Sequence, residues 1–386
     1  MLPKPLLIQP AKPSICGSKV CLNMIVKNES SVIARVLTSV KDVIDYFVIV
    51  DTGSSDGTPQ RIQQIMEAFG IPGEVHFRDW VNFGHNRQQA LELAVAAGRG
   101  DWLLFIDADE ELACRDPQWF QQLVPGVSYQ LEKHHDAIRY ALSNLIWVRG
   151  VSWHWHGVVH EYVSPDGEQS LQKLTDAWII YHAGEGVRSR GLTQQQKFLR
   201  DAELLEAALR DNPDDARNRF YLAQSYRDAG EYRKAYKHYS KRAAMGGWVE
   251  EAYIAQLEKA SMMIRLGMGH RDIVNENLAA YTMRPTRAEA LWQLASYCRG
   301  QQRYAEGYLF AKTGKDIPLP ADVLFVRKEI YDWRLLDEFS ICAYWIGQYQ
   351  ESADAGRRIL AEGLYNPAER DRIVTNLNYA LQKLAQ

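Results

Sequence analysis

Nowhere do these 386 residues offer the run of about 18 apolar side chains that a bilayer-spanning helix requires. The opening MLPKPLLIQPAKPS carries prolines at 3, 5, 10 and 13, which interrupt any export signal, so neither secretion nor membrane insertion is expected. Cysteine is scarce and poorly spaced for pairing. Cys16, Cys21, Cys114, Cys298 and Cys342 are odd in number, scattered and without CxxC spacing, which argues against a disulfide framework and for reduced thiols in the cytoplasm. An excess of one charge is missing too. Lys and Arg number 45 against 48 Asp and Glu, a net charge of -3, so no overall field draws the chain to nucleic acid or an anionic membrane. No basic cluster stands out beyond Arg188-Ser189-Arg190, which disfavours DNA as a partner.

What is present is ample apolar material, 46% of the chain, in a length that suggests two or more domains. Residues 20 to 110 alternate apolar runs with helical patterns. VCLNMIV, YFVIVD, EVHFRD and WLLFID read as strands, and helices are expected at about Ser31 to Val40, Thr58 to Phe69 and His85 to Ala97. Strands alternating with helices imply right-handed crossovers, an α/β class and a largely parallel sheet that binds ligands at the carboxyl ends of its strands. From about 137 to 183 the period changes to strand alternation, with Ser164-Pro165-Asp166-Gly167 expected to turn a hairpin in an antiparallel extension of the sheet. Beyond Leu192 the helical period prevails. RFYLAQSYRDAGEYRKAYKHY (219 to 239) aligns with ALWQLASYCRGQQRYAEGYLF (290 to 310), with Tyr232 against Tyr304 at an offset of 72. That is about twice the 34-residue period of a tetratricopeptide pair. Degenerate copies are expected around Leu257 to Leu278 and at 339 to 353. The expected organisation is an extension (1–18), a catalytic α/β domain (19–190), a linker helix (191–212) and an all-α solenoid (213–386).

The rim of the sheet raises a question in its own sequence. DWLLFIDADEEL ends an apolar strand with Asp107, Asp109, Glu110 and Glu111, and acids that close repel unless something positive is shared among them. A divalent cation is the expected answer, the alternative being that Asp107 or Asp109 caps the next element.

Four motifs stand in order: MIVKNES (24–30), VIVDTGSSDGT (48–58), DWVNFGHNRQQAL (79–91) and FIDADEEL (105–112). Together they resemble the family-2 glycosyltransferases of GT-A fold, over roughly the first 185 residues. With the helical repeats, the chain is similar to the subgroup that includes the peptide S-glycosyltransferases of the sublancin type. The resemblance implies a mixed, Rossmann-like nucleotide-binding sheet, a nucleotide-sugar donor, Mn²⁺ or Mg²⁺, and inversion at the anomeric carbon. It assigns Asp51 to the nucleobase, commonly the uracil imide of a UDP-sugar, and Glu29 and the backbone near Val26 to the base-and-ribose pocket. Asp79, at the end of its strand, joins this donor rim. Asp109 is expected to bind the metal and Asp107 to face the ribose or a metal-bound water. Arg87 suits a diphosphate through its planar donor fork. The family has Arg-Asn here whereas this chain has Arg87-Gln88, which puts an amide contact in doubt. Asp56 or Ser55 is read as a helix cap, and Glu29 is equally readable as an ordinary acid near a helix start.

His154, His156 and His160 in WHWHGVVHEYV have even spacing, and an extended strand would spread them along about 13 Å, too far for one ion. His160-Glu161 matches the family's acceptor-side Val-His-Glu. Glu161 is the candidate base, a structural ion pair being the alternative, and Glu185 is held in reserve. His182 is read either as a third metal ligand or as a hydrogen-bonded core residue. The acceptor is expected to be a protein, peptide or glycan, with the solenoid presenting it or mediating a homodimer. The rival readings are a scaffold with a decayed transferase domain and a nucleotidyltransferase. The latter lacks its usual glycine-rich loop at residues 20–30.

Overall fold

The computed structural model describes residues 17–135, 138–182, 184, 186 and 193–386. The chain divides into two compact units, Met1–Ala208 and Leu209–Gln386. In the first, the strands are β1 (Val20–Val26), β2 (Tyr46–Asp51), β3 (Gly73–Phe77), β4 (Trp102–Phe105), β5 (Glu110–Cys114), β6 (Ser128–His135), β7 (Ile138–Trp147), β8 (Trp153–His156), β9 (Tyr162–Pro165) and β10 (Leu171–Tyr181). Helices α1 (Ile33–Val40), α2 (Thr58–Phe69) and α3 (Phe83–Ala97) alternate with the first four. Among the described residues these strands build an eight-stranded sheet of order β3-β2-β1-β4-β7-β6-β10-β5 and a separate β8-β9 ribbon. β3, β2, β1 and β4 are parallel; β7 pairs antiparallel to β4 and β6, β6 parallel to β10, and β10 antiparallel to β5.

The near-continuous apolar runs of β1, β2 and β4 follow from burial on both faces. Leu22, Met24, Ile49 and Leu104 pack with Ile33, Val36 and Leu37 of α1. On the opposite face Cys21, Val48, Leu103 and Phe105 pack with Leu91 and Ala94 of α3. Asn23, buried in β1, donates from Nδ2 to the carbonyls of Val48 (3.2 Å) and Ala90 (2.8 Å), tying α3 to the sheet. Helix ends follow local chemistry. Pro59 lies in the first turn of α2, Gly70 ends it in the left-handed conformation, and Asn82 caps α3 by accepting from the His85 amide at 2.9 Å.

The expected hairpin is displaced. Ser164-Pro165-Asp166-Gly167 closes β9 and bends the chain without joining paired strands, and the hairpin turn falls at 157–161, between His156 and its cross-strand partner Tyr162. The three histidines are thereby separated: His154 meets Asp166, His156 meets Ser164 Oγ, and His160 lies in the turn at φ +54°.

Helix α4 (Gln194–Asp211) crosses the boundary between the units. The second unit stacks pairs α5 (Ala216–Asp228) and α6 (Tyr232–Ala244), α7 (Val249–Arg265) and α8 (His270–Met283), α9 (Glu289–Gly300) and α10 (Tyr304–Gly314), α11 (Leu335–Trp345) and α12 (Tyr349–Glu362), then α13 (Arg370–Leu384). Each pair turns through one left-handed residue: Gly230, Gly267, Gln302 and Gly347. Gln302 is the repeat equivalent of Gly230, and a side chain there costs roughly 1–2 kcal/mol, one reason the copies look degenerate. Leu222, Ala223, Tyr226, Ala235 and Tyr239 are buried as the repeat pattern requires. Trp345 departs from it: 59% exposed, it stacks on Tyr304 with ring centroids 5.1 Å apart.

Candidate functional site

The carboxyl ends of β1, β2 and β4 lie side by side, and the loops leaving them are laced together. Asn28, left-handed at φ +55°, donates its amide to Ser54 Oγ (2.8 Å) and accepts from the Ser55 amide (2.7 Å). The Glu29 amide donates to Thr58 Oγ1 at 2.8 Å, and the Ser30 amide to Asp56 Oδ2 at 3.0 Å. Asp56 sits one residue before the helix cap Gly57 and accepts from the Thr58 amide and hydroxyl, so its task is wider than a cap. Burial raises its pKa, but bonds from Thr58 and Ser30 outweigh that and hold the carboxyl at about 2.

Asp51 closes β2 with 1% of its surface exposed. Its Oδ1 accepts from the amides of Gly53 (2.9 Å) and Ser54 (2.8 Å), while Oδ2 is buried with no hydrogen-bond partner among the described residues. An unanswered buried carboxylate oxygen is costly, and it suits a ligand N–H. Beside it the Val26 carbonyl is taken by Thr52, from the amide at 2.9 Å and the hydroxyl at 3.1 Å.

The four acids of DADEE do not share one partner. Asp107 Oδ1 accepts from Arg87 Nη2 at 2.7 Å. Glu110, buried where β5 begins, accepts from Lys133 Nζ at 2.6 Å and from the Asp107 amide at 2.8 Å. Glu111 Oε2 lies 3.0 Å from His182 Nε2. Asp109 alone of the four has no ion pair among the described residues. Burial, then the negative charges of Asp107, Glu110 and Glu29, push its carboxyl up to about 7. Such an environment favours a cation beside the carboxylate. No group of three or more His, Cys, Asp or Glu converges on one point among the described residues. The arrangement fits Mg²⁺ or Mn²⁺ held through one carboxylate together with a ligand's phosphates and waters, not an all-protein cage. The His182 imidazole meets Glu111 through Nε2, and its backbone amide donates to the Asp109 carbonyl at 3.0 Å.

Arg87, in the first turns of α3, reaches two acids far away in sequence: Asp107 and, from Nε at 2.7 Å, Glu161 Oε1. Its guanidinium also lies 5.1 Å from the centroid of the Trp155 ring. The pair with Glu161 joins the motif after β4 to the turn of the β8-β9 ribbon. Gln88, where the family has Asn, accepts from the Trp155 amide at 2.9 Å, so it anchors the same ribbon. A Cβ added at Gly84 would lie 2.1 Å from the Gly157 carbonyl oxygen. Gly84→Ala therefore forces α3 away from the turn that carries Glu161. We expect a loss of about 1–3 kcal/mol, read from the urea midpoint, with the donor site's nucleotide affinity less affected.

Asp79 lies exposed beyond the end of β3, and its carbonyl, not its carboxylate, is engaged, by Asn86 Nδ2 at 2.9 Å. Glu29 stands near enough to Asp109 for its charge to raise that carboxyl. Glu185 lies outside the described residues. Lys133 and the loop-to-loop lacing were not anticipated: a lysine in a β-alternating stretch looks solvated until β10 carries β5 to the sheet edge.

Residues 21–129 match the family model for glycosyl transferase family 2. A TPR repeat-containing protein of Synechococcus elongatus is 30% identical over 216 residues, 52% of this chain and 50% of that one. An uncharacterized glycosyltransferase of Rickettsia prowazekii is 32% identical over 134 residues, 34% of this chain and 40% of its own length. The chain thus spans half or less of the length of these relatives. A solved tetratricopeptide repeat protein from Parabacteroides merdae is similar at 17% identity and a TM-score of 0.35, covering 50% of this chain and 71% of that one. Strand-end motifs, sheet order and family match coincide: over residues 21–129 this chain carries a glycosyl transferase family 2 domain, followed by a unit of tetratricopeptide-type helix pairs.

Proposed function

We propose that the first unit transfers a sugar, with inversion, from a uridine diphosphate donor to a protein, peptide or glycan acceptor, with a divalent cation bound at Asp109. One observation carries the reading: in a cluster where Asp107, Glu110 and Glu111 each have a basic partner, Asp109 has none and its carboxyl is pushed up to about 7. Bound there, Mn²⁺ or Mg²⁺ would supply positive charge against the diphosphate leaving group.

The chain's own residues divide the remaining work. Asp51 Oδ2 accepts the uracil N3–H, a donor that cytosine lacks. Arg87 holds the Asp107 and Glu161 carboxylates in register. Glu161 takes the proton of the acceptor as its nucleophilic atom bonds to the anomeric carbon; the bond from that carbon to the diphosphate oxygen breaks, and the electron pair leaves with the nucleoside diphosphate. Asp51→Asn should reverse the donor–acceptor match and cost uridine its advantage over cytidine diphosphate, as titration calorimetry would show.

A thermal-shift panel of uridine, guanosine and cytidine diphosphates, each with and without Mn²⁺, tests the reading. Uridine diphosphate with Mn²⁺ should raise the melting temperature most, with about 2.7 kcal/mol of stabilisation at one hundred times its Kd. Equal shifts for all three nucleotides would remove the uridine assignment, and no shift from any of them would remove the transferase.

A further inference from the structure

Between α10 and the helical segment that begins at Lys328, residues 315–327 form no helix. Two prolines, Pro318 and Pro320, hold the start of this segment extended. From Ala321 to Arg327 exposure alternates residue by residue, as in a strand lying on a surface. What it lies on is the first helix of three successive pairs. The Glu250 carboxylate in α7 accepts from two consecutive backbone amides, Val323 (2.9 Å) and Leu324 (2.8 Å). Arg287, fully buried and paired with Glu289 (2.9 Å), also donates to Asp322 (3.2 Å) and to the carbonyls of Leu324 (3.3 Å) and Phe325 (3.5 Å). Arg284 binds the same aspartate. The Phe325 ring stacks on Phe220 of α5, centroids 6.3 Å apart, and the Arg327 guanidinium lies 4.5 Å from the Trp292 ring in α9.

Most of these contacts read backbone, one acid and one aromatic, the features by which a surface recognises an extended peptide from any source. Two details distinguish the segment from a fixed part of the core. Val323 is 79% and Phe325 47% exposed, and Phe325 is held at φ +48°, a strained conformation for an aromatic residue of the kind found at clamps and switches.

We propose that the first-helix surface of α5, α7 and α9 is a binding site for an extended acidic peptide, and that residues 318–327 occupy it as an internal, exchangeable strap. The charge requirement follows from Arg284 and Arg287, two guanidinium groups that converge on Asp322. Displacement by a neutral peptide would leave Arg284 without its carboxylate and Arg287 with Glu289 alone, whereas a peptide with a carboxylate at the place of Asp322 restores both contacts. The partner is therefore a segment with an acid three residues before an aromatic.

The test uses a labelled peptide, DIPLPADVLFVRK, identical to residues 316–328, and the full chain. Asp322→Ala frees the strap, so this variant should bind the peptide at least ~10-fold more tightly than the wild-type chain, in which the site is occupied. A peptide with asparagine in place of that aspartate should bind the variant at least ~10-fold more weakly. Unlabelled peptide should also speed trypsin cleavage of the wild-type chain after Arg327. A folded Asp322→Ala chain that binds the peptide no better than wild type would overturn the proposal, as would affinity indifferent to the acid. If Asp322→Ala loses its cooperative unfolding transition, Phe325→Ala takes its place and the same comparison decides.

Discussion

Asp109→Asn should stabilise the protein and silence it at once. In the metal-free chain the Asp109 carboxyl titrates at about 7 against an ordinary value of 3.8, because burial and three neighbouring acids oppose its ionisation. A raised folded-state pKa means stability that is fully present below about pH 4, declines through the interval and is lost above about pH 7. The amide removes that loss, a matter of a few kcal/mol at most. In chelator, the variant should therefore melt higher than wild type above pH 7, and the two should converge near pH 4. With Mn²⁺ and uridine diphosphate the order should reverse, since only the wild type gains from the ligand. Transfer should fall below detection in the variant. Melting curves of both proteins across pH, in chelator and in Mn²⁺ with nucleotide, measure all of this. A variant whose melting temperature follows wild type at every pH would show that Asp109 is not the uncompensated acid.

Glu161→Gln should separate binding from chemistry. Glutamine retains an oxygen to accept from Arg87 Nε, so the 2.7 Å contact and the turn of the ribbon can persist while the negative charge is lost. Uridine diphosphate and Mn²⁺ should bind within about threefold of wild type, and transfer should fall by roughly 10²- to 10⁴-fold, the loss expected for a general base. Arg87→Ala gives a different signature. It strips the cation from Asp107 and Glu161 together, and a buried pair broken from one side costs about 3–5 kcal/mol, so stability and nucleotide binding should fail with activity. Single-turnover kinetics beside calorimetry distinguish the two variants. Full transfer activity in Glu161→Gln would move the base elsewhere, with Glu185 the next to substitute.

Much of this was legible in the sequence because its signals are local. The apolar runs of β1, β2 and β4 and the helical periods between them locate the parallel half of the sheet, and the helix expected at about Thr58 to Phe69 spans those residues, with a left-handed glycine at each end. Strand-end acids locate the rim by the same logic. The misplaced hairpin shows the limit. Ser164-Pro165-Asp166-Gly167 has turn chemistry, but cross-strand pairing of Trp153 with Pro165 places the reversal earlier, at Gly157, where left-handed φ and close approach to Gly84 coincide. The partners of the acids were out of reach for a related reason. Lys133 meets Glu110 and Arg87 meets Glu161 only once β10 and the β8-β9 ribbon are in place, contacts 23 and 74 residues apart that no local pattern encodes. Hence the expectation of one shared cation for four acids became three separate pairs and a single unanswered carboxylate.

This carboxylate should hold the cation that a uridine diphosphate donor needs, and calorimetric titration of uridine diphosphate into wild type and Asp109→Ala, each with and without Mn²⁺, is the direct test of that role. Wild type should bind at least ~10-fold more tightly when Mn²⁺ is present, and the variant should bind weakly and without metal dependence. Equal affinity in all four titrations, or a metal dependence that survives the loss of Asp109, would contradict it.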